Sequence, residues 1–273
     1  MKKLMTILLS LIFILGCQTE QMPLSPSSSL QTNLAKAVSS ELEVTPVFRV
    51  KTEKSGEWLT VFVFHANMGR SDGRGGGKKP PKETEVCLDL NTNQAFAELG
   101  VVLPSANFPV EYHPVFEPTN AFDAIDRAVS AWEDASSDSL LDFVYNALGT
   151  AAPARDFTNV VGWRQFVGRG SGFLAATFIW DDGTTILEAD IFYNLKHKWA
   201  VNTVIAAGDS TCGTNFDIQA IGTHEFGHLI GLGHVVNANE ADATMAPSAA
   251  KGELQKQTLT PGDIAGVLSV MSN

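Results

Sequence analysis

The run His224-Glu225-Phe226-Gly227-His228-Leu229-Ile230-Gly231-Leu232-Gly233-His234 carries the residue types that bind and use a metal ion. On a helix, His224 and His228 lie four residues apart, so both imidazoles project from one face and can hold one ion. Gly231 can adopt the left-handed backbone that ends a helix, and the turned chain then returns His234 to the same ion as a third ligand. Neutral nitrogen donors suit zinc, and three protein ligands leave the fourth tetrahedral position open, which is the catalytic rather than the structural arrangement. Glu225, beside the first ligand, is placed to act as general base. A helix with merely buried, hydrogen-bonded histidines is the bland alternative, and the length of the five-position pattern weighs against it.

These side chains need elements to hold them. Thr214 or Asn215 can cap the helix that carries the motif, with Ile218, Ile221 and Leu229 facing inward. Upstream, the spacing predicts a strand over 108–112 and a helix from 121 to about 135. That helix is capped by Asn120 and carries an apolar stripe of Phe122, Ile125, Val129 and Trp132. Residues 140–148 read as a helical insertion, and 159–163 as the next sheet segment. Two strands over 172–180 and 185–193 are joined by Asp181-Asp182-Gly183-Thr184, a strong hairpin signal. Leu259-Thr260-Pro261-Gly262-Asp263-Ile264 opens a last helix, apolar at Ile264, Val267 and Leu268. This mixture belongs to the α+β class.

The histidine motif is followed by a Met in Ala243-Thr244-Met245-Ala246-Pro247, and together they resemble the metzincin metallopeptidases. The strand pair before the motif is similar to the matrixin branch, the relatives of the matrix metalloproteinases. The resemblance covers about 104–273. It implies a zincin fold, a twisted mixed sheet with an active-site helix and a closing C-terminal helix. It also implies one catalytic Zn2+ and hydrolysis of an extended protein or peptide substrate by a zinc-bound water, with Glu225 as base. In such enzymes the residue at Met245 forms an apolar floor under the histidines, and residues 247–252 wall the pocket beyond the cleaved bond. Phe173, Leu174, Ala175, Ala176 and Thr177 match the edge strand to which a substrate adds as one more strand. Animal matrixins place a structural-zinc His where Ala176 stands, so no second zinc is expected here, and structural Ca2+ is left open. Val235 replaces their Ser after the third His. A surface binding lipoprotein that kept the scaffold without turnover is the reading from another class, and the intact Glu225 weighs against it.

The chain opens Met1-Lys2-Lys3 followed by an apolar run over 4–15, too short to span a bilayer and laid out as a secretory signal. It ends Ile14-Leu15-Gly16-Cys17, which resembles the bacterial lipobox and implies lipidation of Cys17. The resulting lipid anchor would lie at the cell envelope, at the outer membrane in a Gram-negative cell. A secreted protein with an ordinary signal peptide is the alternative. Residues 18–42, rich in Ser, Thr, Gln and Pro, read as a flexible tether. Alternating runs over 44–50, 58–64, 85–90 and 95–99 suggest that 43–103 form a small β-rich module or a sheet extension, ahead of a peptidase domain over 104–273. Residues 69–73 match the serine-hydrolase elbow G-x-S-x-G, but the glycines and prolines that follow forbid the helix it requires, so 69–81 read as a basic loop.

Cys87 and Cys212 remain after Cys17. In an exported chain they would pair as a disulfide, with free thiols as a second reading. The third reading is Cys87 occupying the zinc as in matrixin propeptides, whose Pro-Arg-Cys-Gly surroundings are missing from residues 84–89. The 273 residues, 44% of them apolar, suffice for the core of one domain plus an extra module. A net charge of −11 argues against nucleic acid, and a monomer is expected.

Overall fold

Two strands lead the folded part of the chain, β1 (Val47–Lys51) and β2 (Trp58–Ala66). β2 is apolar on alternate sides in turn. Leu59, Val61 and Val63 enter one buried cluster, and Phe62 and Phe64 enter the other. A strand with this period-two pattern on both faces must be covered on both faces. The structure is a computed structural model and describes residues 47–52, 55–66, 92–118, 120–149, 152–202, 214–236 and 242–272. The signal-like segment, the tether, the basic loop, the run over 85–90 and all three cysteines lie outside the described residues.

β3 (Phe108–Tyr112), α1 (Phe122–Ser136), β4 (Leu141–Tyr145) and β5 (Val160–Arg164) follow, then the hairpin of β6 (Phe173–Asp181) and β7 (Ile186–Asn194). After the short β8 (Trp199–Ala200) and β9 (Phe216–Asp217) come α2 (Ile218–Leu229), β10 (Ser248–Ala249) and α3 (Pro261–Met271). The main sheet runs β1-β2-β6-β7-β5-β3-β4, with β10 also paired to β2. Pairs from β1 to β7 along this order are antiparallel, and β7, β5, β3 and β4 are parallel. The helices α1 and α2 are tied where the Trp132 indole N–H donates to the Thr223 carbonyl at 2.8 Å. Among the described residues, a mixed sheet with three α-helices is the α+β metzincin arrangement that the sequence led us to expect.

The local expectations fared unevenly. The hairpin forms as read, its turn held by Asp182 Oδ1, which accepts from the backbone N–H groups of Thr184 and Thr185. Residues 141–145 are strand rather than helix, because they pair in parallel with β3. Asn120 does not cap α1; its N-cap is Ala121, whose own N–H reaches Glu117 Oε2 at 3.4 Å. Neither Thr214 nor Asn215 caps α2, since Asp217 does so by accepting from the Ala220 N–H at 2.7 Å. On α3, Val267 and Val270 are buried while Ile264 and Leu268 are exposed. The run over 95–99 is not a strand but an extended passage bonded to the end of the motif, with the Gly233 N–H donating to the Ala97 carbonyl at 2.8 Å.

Of the two forms expected of the N-terminal strands, a small module or a sheet extension, β1 and β2 take the second. They extend the main sheet, and β2 pairs with β6 from Trp58 opposite Asp181 to His65 opposite Phe173. Consequently Phe173, Leu174, Ala175, Ala176 and Thr177 do not lie on an edge: β6 is flanked by β7 on one side and β2 on the other. The two apolar faces of β2 are the physical reason, because a detached hairpin would leave one of them in water.

Candidate active site

α2 is buried at every position, so its polar side chains must find partners inside the protein. His224 and His228 do so in the same way. The Nδ1–H of His224 donates to the Thr244 carbonyl at 2.7 Å, and that of His228 to the Leu232 carbonyl at 2.8 Å. A carbonyl can only accept, so the proton of each neutral ring sits on Nδ1 and leaves Nε2 as a bare lone pair. Burial holds all three histidines neutral, pushing His228 down to about 3 and His224 and His234 well below the usual value.

Gly231 turns the chain at φ +107°, and a Cβ there would lie 2.6 Å from the Val101 carbonyl oxygen. The turn delivers His234. Its Nε2 lies 3.1 Å from that of His224 and 3.0 Å from that of His228, and those two are 3.0 Å apart. With the protons of His224 and His228 on Nδ1, their two Nε2 lone pairs repel at 3.0 Å unless a cation or a shared proton lies beside them. The triangle is within a few tenths of the roughly 3.3 Å edge that zinc–nitrogen bonds of about 2.0–2.1 Å produce in a tetrahedron. Among the described residues, this is the one cluster of at least three His, Cys, Asp or Glu able to hold a metal. The donor set therefore fits zinc.

Glu225 follows His224 on the helix and is fully buried. Its Oε2 accepts from the Thr177 hydroxyl at 2.5 Å, and its Oε1 finds no partner among the described residues. Burial pushes its carboxyl up to about 8, against a smaller opposing pull from Thr177. Met245 is buried as well, and its sulfur packs against Gly227, where an added Cβ would come within 2.3 Å of it. The glycine thus lets a thioether sit under the helix between the two ligands it carries.

The structure brings together His224, His228, His234, Glu225 and Met245, and it places Thr177 beside the carboxylate. Sequence reasoning named Thr177 only as strand backbone and missed its hydroxyl. It also missed Phe62 and Phe64. The Phe62 ring stacks on His228 with centroids 3.9 Å apart and meets His234 edge-on at 5.3 Å, while Phe64 stacks on His224 at 3.9 Å. The signal was present in the alternation of 58–64, where aromatic rings recur two residues apart.

The matrixin family model matches residues 109–271. Among curated proteins, the metalloendoproteinase 1-MMP of Arabidopsis thaliana is 32% identical over 99 residues, which are 36% of this chain and 24% of that protein. The matched stretch thus spans about a quarter of that relative. Among solved structures, metalloproteinase-II from Bacteroides fragilis aligns at a TM-score of 0.30 and 11% identity, covering 82% of this chain and 75% of that one. With the family model matching more than half of its length, and the histidine triangle and carboxylate falling inside the match, the chain belongs to the matrixin family.

Proposed function

We propose that this chain is a zinc endopeptidase acting on extended segments of protein. One observation carries the reading above the others: three Nε2 atoms, two of them left unprotonated by their Nδ1 hydrogen bonds, converge to 3.0–3.1 Å on the helix that carries a buried carboxyl. Bound there, zinc supplies Lewis acidity toward a water and the scissile carbonyl. His224, His228 and His234 hold it, the first two oriented by the Thr244 and Leu232 carbonyls. Glu225, steadied by Thr177, accepts the proton of the attacking water and delivers it to the leaving nitrogen. β6 and β10 both pair with β2, and with β2 displaced their backbone groups would be available to an extended peptide without regard to its sequence. The lipobox-like ending at Cys17 supports action at a bacterial cell envelope on a lipid anchor.

Zinc content and cleavage of unfolded casein test the reading, on the intact chain and on chains with β2 displaced. One zinc per chain, with chelator-sensitive cleavage at least where β2 is displaced, is the expected result. Glu225→Gln should keep the zinc and abolish cleavage. A chain that binds no zinc overturns the assignment, and a Glu225→Gln variant that still cleaves overturns the role given to Glu225.

A further inference from the structure

We propose that β2 is a built-in occupant of the substrate-strand position, so that the chain folds in a latent form. This rests on the peptidase reading and concerns the regulation of that site.

The pairing comes first. β2 runs antiparallel to β6 on one side and parallel to β10 on the other, with Phe62 opposite Thr177, Phe64 opposite Ala175, and Ser248 opposite His65. It therefore uses backbone groups on both walls of the cleft, which is what an extended peptide entering from solution would need. Thr177, the residue that holds the base, faces the middle of β2.

The side chains close what the backbone spans. Phe62 and Phe64 lie flat on the imidazoles of His228 and His224. His224, Glu225 and His228 are 0% exposed, and His234 is 7% exposed. Active peptidases must admit water and a chain to these groups, so catalysis requires β2 to leave. The block works by occupancy alone, for β2 contributes no side chain to the metal cluster.

The strand is also fastened. Arg49 pairs with Asp181 at 2.7 Å, and Arg155 holds Glu57 at 3.1 Å. Being part of the same chain, β2 competes at an effective concentration of order millimolar or above, which a dilute substrate cannot match. The substrates that do fit share its chemistry, an extended segment with bulky apolar side chains two residues apart.

The test compares the full wild-type chain with Phe62→Lys/Phe64→Lys, whose charged side chains neither ligate zinc nor tolerate burial beside it. Zinc content, hydrogen exchange of the β6 amides and casein cleavage are read on each. Zinc content should stay equal, while exchange at Ala175 to Thr177 and cleavage should each rise about tenfold or more, the scale set by losing a tethered competitor. Adding a lysine-flanked peptide of the sequence Trp58 to Ala66 should suppress the gained cleavage. Arg49→Ala/Glu57→Gln, which leaves the buried rings alone, should move both readouts the same way by less, and it carries the test if the lysine pair does not fold. Unchanged β6 exchange, or a wild type that cleaves as fast as the variants, overturns latency. Faster β6 exchange with zinc bound and no cleavage would instead sink the peptidase reading and leave β2 as the occupant of the cleft.

Discussion

Thr177 Oγ1 donates to Glu225 Oε2 across 2.5 Å, joining the central strand of the antiparallel half of the sheet to the helix that carries the histidines. The bond is the one partner that Glu225 has among the described residues. Thr177→Val keeps the shape and removes the donor, leaving a buried carboxyl unsatisfied at a cost of about 1–3 kcal/mol. The loss should be read by urea denaturation as a lower midpoint with an unchanged slope. In a Glu225→Leu background, where nothing is left to satisfy, the same change should be nearly neutral. Equal losses in both backgrounds would mean that the bond is not what holds the carboxyl.

Gly227 and Met245 make a second coupled pair. Alanine at an exposed helix position gains about 1 kcal/mol over glycine. Here the added Cβ would lie 2.3 Å from the Met245 sulfur and 2.9 Å from the Trp132 ring, so overpacking at about 1–3 kcal/mol should win. Gly227→Ala should melt lower and bind zinc more weakly, because the strain falls between His224 and His228. Combining it with Met245→Ala should return part of the zinc affinity, which a competition titration against a chelator would measure.

How much of this was legible depends on how far apart in the chain the partners lie. The ligand set was readable because a helical turn and a glycine turn are local, and the β6–β7 hairpin because its turn chemistry is local. β4 was not. Its apolar run is too short to separate strand from helix, and its identity is fixed by parallel pairing with β3 about thirty residues away. Asp217 outcompeted Thr214 and Asn215 as a cap because it also accepts from the Asn202 N–H and the Gln257 amide, partners that no local pattern displays. β2 could be read as a strand, but its place over the cleft comes from pairing with β6 more than a hundred residues later. The resemblance pointed the other way, since it implied an open edge at Phe173 to Thr177.

The fastening of β1 and β2 should weaken in acid. The hydrogen bond from Arg155 is the leading cause that holds the Glu57 carboxyl below its usual value. A carboxylate depressed in the folded state contributes stability that is present above its unfolded pKa and lost as pH falls through the folded one. Glu57→Gln should therefore cost about 0.5–1 kcal/mol at pH 7, the range for a largely surface ion pair, and almost nothing well below pH 4. Denaturation midpoints of the two chains at both pH values check this, and midpoints that differ as much in acid as at neutrality would contradict it.

Removing the metal should loosen one ligand before the others. His224 and His228 are fixed by their helix and by hydrogen bonds to the Thr244 and Leu232 carbonyls, so they should keep their orientation without an ion. His234 has no such anchor. Its Nδ1 lacks a partner among the described residues, and its Nε2 lies 3.1 and 3.0 Å from those of His224 and His228. Chelation should therefore broaden the His234 imidazole resonances and speed amide exchange over 232–235, while α2 stays protected. Free zinc at a thousand times its dissociation constant stabilises the folded chain by about 4 kcal/mol. At roughly 2–4 °C per kcal/mol for a domain of this size, chelation should lower the melting temperature by about 10 °C. His234→Ala should lack that zinc-dependent shift, and Glu225→Gln should keep it, because Glu225 is not one of the three ligands. A shift that survives in His234→Ala would place the stabilising ion somewhere other than the histidine triangle.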